Sequence, residues 1–438
     1  MEETPREKTT AVKATDTSKR VRSIVKSYYM RAQEASEKGA PIAYCMVASC
    51  YDEILLAMDV VPIWTENYGG LCAAKRDAER FILKAEAEGY SNVICGYARC
   101  GIGFDILRHE LGHIPPESPD GGMARPSMLL GSSAVCDPRY KWYQSLGRYL
   151  DTPIYNFDIV VPPIDANLAD VKEYYVKYQL EQFKGLVTFI ERQTGKKMDY
   201  DRLSEILDIA DETNQVWLDC YKLRSAIPGP MPSQDHFSTF VPAFYGIGTK
   251  ETLDFYRELY NEVKYRVDNK MSTVPEEKYR LLWAGGLPPW HTMWIFNYFE
   301  SRGGVFVMDT TYGPWGTVEV PKGITHPLER LAWRTFLRWT NRYEKAQKRS
   351  GNEWVELILD IVDDYHIDGM AMHATKSCRA TTMGQIHMKN LAQDYVKIPT
   401  LLLISDIVDV RDYSEAEWKA NINAFMETVD SNKRGKKG

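Results

Sequence analysis

The sequence predicts an α/β protein: two parallel-sheet domains joined by a helical region. Three observations lead there. Short apolar runs alternate with helical stretches over residues 41–162. The same alternation returns over residues 280–425. Between them, residues 163–279 carry long amphipathic patterns of helical period. Strands alternating with helices imply right-handed βαβ crossovers and hence parallel sheets, in Rossmann-like domains. A chain of 438 residues is also too long for one ordinary core.

Residues 1–40 read as a polar arm, loose to about residue 18, followed by the helix VRSIVKSYYMRAQEASEKG with Gly39 as its stop. In the first α/β domain, PIAYCMVA, VVPIWT, NVICGY, PSMLLGSS and TPIYNFDIVV read as buried strands. DEILLAMD, RDAERFILKAEAEG and KWYQSLGRYL read as the helices between them. In residues 163–279, two long patterns run from ANLADVKEYY and from YDRLSEILDI, and PGPMPSQDH interrupts the helices that follow. In the second α/β domain the strand candidates are RLLWAGGLP, GGVFVMDTTY, YHIDGMAMHA and IPTLLLISD. HTMWIFNYFESRG, LAWRTFLRWTNRYEKAQKR, EWVELILDIVDDY and MGQIHMKNLAQDY are its helices. Residues 426–438 form a tail whose end, SNKRGKKG, is expected to fray.

Composition excludes several classes. A net charge of −6 gives no basic surface for general nucleic-acid binding. No apolar run reaches the roughly 18 residues that span a bilayer, and the N-terminus has no apolar signal region. A cytoplasmic protein with eight reduced cysteines is expected.

HELGH, residues 109–113, matches the H-E-x-x-H pattern of zinc peptidases. Pro115 and Pro116 follow almost at once, so the helix stops before it can lead to a third ligand, and a peptidase is not expected. GxxxxGK[ST] does not occur, and GYARCGIGF departs from the G-x-G-x-x-G dinucleotide fingerprint. Nor is there a CxxC pair.

Cysteine placement carries more. Cys95 ends the predicted strand NVIC, Cys136 ends PSMLLGSSAVC, and Cys378 follows GMAMHATKS. The carboxyl edge of a parallel sheet faces the ligand crevice. Two such domains facing each other would gather three thiolates, a set suited to a [4Fe–4S] cluster with one iron left for another ligand. Packing is the plainer reading of any buried cysteine. Cys45, Cys50 and Cys220 read as core, while Cys72 and Cys100 stand as spare candidates.

Four segments together resemble one family. IAYCMVASCYDEILLAMDVVPIW, VICGYARCGIGF, SSAVCDPRYKWYQSLGRYLDTPIYNFDIVVPP, and TKSCRATTMGQIHMKN with KIPTLLLISDIVD resemble, in order and spacing, the 2-hydroxyacyl-CoA dehydratase and benzoyl-CoA reductase family. The likeness runs over about residues 25–425, and within the family the segments look most like the B subunits of ATP-dependent benzoyl-CoA reductases. The resemblance implies one [4Fe–4S] cluster held by Cys95, Cys136 and Cys378 at the cleft between the two domains. It implies an aromatic acyl-CoA thioester as substrate, reduced by single electrons, or in the alternative dehydration of an (R)-2-hydroxyacyl-CoA through a ketyl radical. It also implies a homologous cluster-bearing subunit and separate ATP-hydrolysing electron activators as partners. Glu53 falls where the family has a helix glutamate near substrate; the plainer reading is a solvated carboxylate in the helix's first turn.

Overall fold

The computed structural model describes residues 15–313 and 318–435. Eight strands form: β1 Ile42–Cys45, β2 Val61–Trp64, β3 Met128–Ser132, β4 Ile154–Phe157, β5 Tyr279–Ala284, β6 Gly304–Asp309, β7 Gly369–Thr375 and β8 Thr400–Ser405. They make two parallel sheets of four strands, ordered β2-β1-β3-β4 and β6-β5-β7-β8. The two orders are the same. In each, strand order reverses between the first and third strands, β1/β3 and β5/β7, and loops leaving that point flank the crevice of an open parallel sheet. β1, β3, β6 and β7 are buried along their whole length, as a sheet covered on both faces requires.

Each sheet has its own apolar core. The first gathers β1 to β4 with the helix Leu168–Thr194; the second gathers β5 to β8 with the helices Lys250–Asp268 and Glu353–Asp364. The helix Pro327–Thr340 follows β6 in the chain, yet Leu328, Leu331, Ala332 and Phe336 pack into the first core. This crossing brings Arg334 and Arg338 to the first sheet.

Four expectations need correction. NVICGY is not a strand. Its residues turn between the helices Ala78–Ala87 and Gly96–Leu111, closed by Ile94 N–H donating to the Ser91 carbonyl at 3.1 Å. Only Val93 and Ile94 supply adjacent apolar bulk there, and Val93 is 59% exposed, so a strand would bury too little. LAWRTFLRWTNRYEKAQKR is two helices, Pro327–Thr340 and Tyr343–Lys348, broken at Asn341 and Arg342. The arm is docked from residue 15: Thr15 N–H and Oγ1 both donate to Asp235 Oδ2, at 3.0 and 2.5 Å, and Thr17 donates to Glu262. Residues 1–14 lie outside the described residues. The final helix, Glu415–Gly435, continues through SNKRG rather than fraying there, because Lys433 anchors it to Asp368 at 2.6 Å.

Candidate functional site

Two features meet at the carboxyl edges of the sheets: a set of three thiols and a cavity beside β1.

Each of the three predicted cysteines begins or precedes a helix. Cys95 is the residue before Gly96–Leu111, Cys136 lies two residues before Pro138–Leu150, and Cys378 immediately precedes Arg379–Thr382. All three are free and partly buried. Cys136 and Cys378 occupy equivalent loops, after the third strand of each sheet. Cys95 reaches the edge from the turn that replaces the predicted strand.

The fold brings these thiols within electrostatic reach of one another. Burial pushes the Cys95 thiol well up, and the nearby Cys378 and Cys136 add to it. Burial raises Cys136 to about 12; Arg139 pulls the other way, while Glu66 and Cys378 push it further up. As thiolates in so poorly solvated a place, the three would repel, which a cationic centre between them relieves.

Side chains from both halves hold this geometry. Asp406, after β8, accepts from Val408 N–H at 2.9 Å and Asp409 N–H at 3.0 Å through Oδ1, and from the Ser377 hydroxyl through Oδ2. Ser377 Oγ in turn accepts from Gly96 N–H at 2.9 Å. Gly96 is required at this point, since a Cβ would strike the Asp406 carboxylate. The chain from Asp406 through Ser377 to Gly96 thus ties the Cys378 loop to the Cys95 helix. Arg99 donates to Asp409 at 3.0 Å and Glu86 at 2.6 Å, tying the same two halves. Around Cys136, Arg139 forks onto Glu66 at 3.0 and 2.6 Å and donates to the Ala134 carbonyl at 2.9 Å. Trp290 Nε1–H donates to the Tyr97 hydroxyl, and Tyr312 stacks on Phe240 with centroids 4.0 Å apart. Glu66, Asp406, Ser377 and Arg139 were not singled out from the sequence; their partners lie too far along the chain.

The other cysteines fall elsewhere. Cys45 and Cys220 are core, as expected. Cys72 and Cys100 are fully buried together in the first core, beneath Tyr68. Cys50 departs from its core reading: it sits in the loop after β1 at φ 61° and lines the cavity.

Glu53 is not solvated. It is 3% exposed in Asp52–Ala57, and its carboxylate pairs with the Arg334 guanidinium, which also donates to Asp211 at 3.1 Å. Its neighbour Asp52 accepts from Trp64 Nε1–H at 3.2 Å; burial, then Glu53, push its carboxyl up to about 7.

HELGH does not make a helix face of two imidazoles. The helix ends at Leu111 with Gly112 left-handed, Glu110 pairs with Lys84 at 2.6 Å, and His113 lies beyond the stop. Among the described residues no three His, Cys, Asp or Glu side chains are grouped to hold a metal ion. A cubane differs from one ion, since each cysteine binds a separate iron and its thiols stand wider apart. Three free cysteines within electrostatic reach of one another, each just before a helix, fit that chemistry.

Among known proteins, the chain is 26% identical over 429 residues to the (R)-phenyllactyl-CoA dehydratase alpha subunit of Clostridium sporogenes, covering 95% of this chain and 99% of that one. It is 24% identical over 420 residues to the (R)-2-hydroxyisocaproyl-CoA dehydratase alpha subunit of Clostridioides difficile, covering 95% and 97%. It is 26% identical over 431 residues to the B subunit of benzoyl-CoA reductase from Thauera aromatica, covering 94% of each. The model of the 2-hydroxyglutaryl-CoA dehydratase, D-component family matches residues 49–429, from the loop after β1 to the final helix, and the chain belongs to that family.

Proposed function

We propose that this chain is the iron–sulfur subunit of an ATP-dependent benzoyl-CoA reductase. In this reading Cys95, Cys136 and Cys378 hold a [4Fe–4S] cluster, and the product is cyclohexa-1,5-diene-1-carbonyl-CoA. What supports it is that free Cys95, Cys136 and Cys378, drawn from loops of both sheets, lie within electrostatic reach of one another, with the Cys95 and Cys136 thiols raised by burial. Bound there, the cluster supplies electrons singly at low potential. The chain's own residues do the rest. The Asp406–Ser377–Gly96 chain fixes the two halves against each other. Tyr97, within electrostatic reach of Cys95, belongs to an apolar aromatic cluster with Trp290, Tyr312 and Phe240. Each electron accepted by the ring is matched by a proton, and Asp52, on the cavity beside β1 with its carboxyl raised to about 7, is an acid that holds one at neutral pH. Glu53, which the sequence put forward for catalysis, acts in this reading through Arg334.

Partners in this reading are a homologous cluster-bearing subunit and separate ATP-hydrolysing electron activators. The relatives are named as alpha and B subunits, which supports a multi-subunit enzyme. Among the described residues no helix is long and apolar enough to cross a membrane, and a cytoplasmic setting suits an oxygen-sensitive cluster.

A second reading, an (R)-2-hydroxyacyl-CoA dehydratase subunit, is favoured by the equal identity to the phenyllactyl-CoA enzyme. An anaerobic assay of the complex with benzoyl-CoA and with phenyllactyl-CoA separates the two. Dienoyl-CoA formed in step with ATP hydrolysed supports the reductase. Water loss from phenyllactyl-CoA, with no net electron consumption and no action on benzoyl-CoA, overturns it in favour of the dehydratase.

A further inference from the structure

Two cysteines outside the gathered set stand against each other in the first core. Cys72 lies on the helix Thr65–Ala74 and Cys100 on Gly96–Leu111, and both are fully buried. The Cys72 thiol is within hydrogen-bonding reach of Cys100, and burial, then that contact, raise it well above its ordinary value. The Tyr68 hydroxyl, one turn before Cys72, reaches the same sulfur and covers the pair.

The backbones that carry them are close. One turn before each cysteine, Gly69 meets Tyr97: a Cβ added to Gly69 would come within 3.4 Å of the Tyr97 Cα. The contact from 69 to 97 and the contact from 72 to 100 advance by one turn together. The two helices therefore run the same way and stay in contact over that turn. Close backbones and facing sulfurs are what a disulfide needs, with Cα atoms about 4.4–6.8 Å apart. The gathered thiols differ: Cys378 and Cys136 act on Cys95 by charge across space, as thiols set around a centre do.

We propose that Cys72 and Cys100 are a redox modification site, at which a peroxide converts the pair to a disulfide joining the two helices. Each thiol gives up its proton, and the two sulfurs lose two electrons between them as one S–S bond forms. The peroxide O–O bond breaks, and its two oxygens take up those electrons and both protons to leave as water. Local opening admits an oxidant of nearly water's size to a buried pair, where a bulkier one stays out. Thiol exchange with a small dithiol returns the pair to its reduced form.

The cross-link joins two elements that serve the thiol-bearing loops. Gly96–Leu111 begins directly after Cys95, and Thr65–Ala74 carries Glu66, which holds Arg139 beside Cys136. An oxidised chain thus keeps these helices fixed against each other. The inference needs no metal and stands apart from the cluster reading.

Peptide mapping without reduction tests this on the full chain, purified anaerobically and then given hydrogen peroxide. Remaining thiols are blocked in denaturant before digestion. Cys72–Cys100 should be the main cross-link at either residue, and dithiothreitol should remove it. It should be lost in Cys72→Ala and in Cys100→Ala, with the remaining thiol of the pair left unjoined. A chain unfolded before oxidation should show no preference for it. The proposal is overturned if both residues are recovered as thiols while Cys95, Cys136 and Cys378 are oxidised. It is equally overturned if Cys100 joins Cys95 more often than Cys72, or if the unfolded chain gives the same yield. The wild-type map decides alone where a variant fails to fold. Iron measured on the same samples keeps the two ideas apart: a chain that closes this pair but never held iron sinks the cluster reading and leaves this one standing.

Discussion

The two sheets share one strand order, yet their carboxyl edges are furnished differently. In the second half, aspartates close the loops. Asp309 ends β6 and accepts from Thr311 N–H at 2.5 Å and Tyr312 N–H at 2.6 Å, while Asp406 follows β8 and accepts from two amides. Each uses one oxygen to shape backbone and the other to hold a side chain, His236 for Asp309 and Ser377 for Asp406. In the first half, the loop after β1 leads to Asp52 and Glu53, which face a cavity and two arginines lent by the helix Pro327–Thr340. Two of the three gathered thiols also come from the first half. One topology thus serves two tasks: one edge is a frame and the other carries the reactive groups. The difference lies in what each strand-end carboxylate bonds, not in where it stands.

Breaking the charged side of this comparison should have the largest effect. Arg334→Met leaves Glu53 buried without its partner and should cost about 3–5 kcal/mol of stability, measured by denaturant unfolding. Adding Glu53→Gln should return much of that loss, because the orphaned charge is then gone. If Arg334→Met proves neutral, the pair is not buried in solution. Breaking the frame should cost less. Asp406→Asn disturbs the link to Ser377 without touching a thiol, and should weaken iron retention by about 10- to 100-fold against a chelator, the usual range for a residue behind a metal ligand.

This contrast explains what could be read from sequence. The eight strands of the described residues lie in apolar runs, and several helices between them showed their period, but Thr65–Ala74 went unread and Gly96–Leu111 was visible only at its HELGH end. NVICGY misled because an apolar pair beside a cysteine looks like a strand end, whereas the chain there only turns between two helices. The loops that carry Cys136 and Cys378 after a third strand were legible, whereas Cys95 was placed on a strand end that is a turn between two helices. The groups that hold them were not. Ser377 meets Gly96 across 281 residues, and Glu53 meets Arg334 across the same separation. No local pattern marks such a pair, which is why Glu53 looked solvated.

The remaining effects are smaller. Asp52 faces Glu53 on its own helix, Trp64 at the end of β2, Cys45 and Cys50 around it, and Arg334 across the cavity. Its carboxyl is raised from the ordinary 3.8 to about 7, so the folded chain keeps this proton longer than the unfolded one does. The sign follows from that: this group's contribution to stability is largest in acid and falls as pH rises from about 4 towards 7. Asp52→Asn should flatten that stability profile; an unchanged profile in the variant would assign the titration elsewhere. Cys100→Ala should do least, costing about 1 kcal/mol of packing in the first core with iron retained.

The central claim is that one cluster is held jointly by both halves, and iron and acid-labile sulfide per chain test it most directly. Anaerobically purified wild type should carry about four of each. Cys95→Ala, Cys136→Ala and Cys378→Ala should each lose most of both, although Cys378 follows a strand of the second sheet and the other two lie in the chain of the first. A full load of iron in Cys95→Ala or Cys378→Ala, or one equivalent of zinc in place of iron in the wild type, would contradict the account.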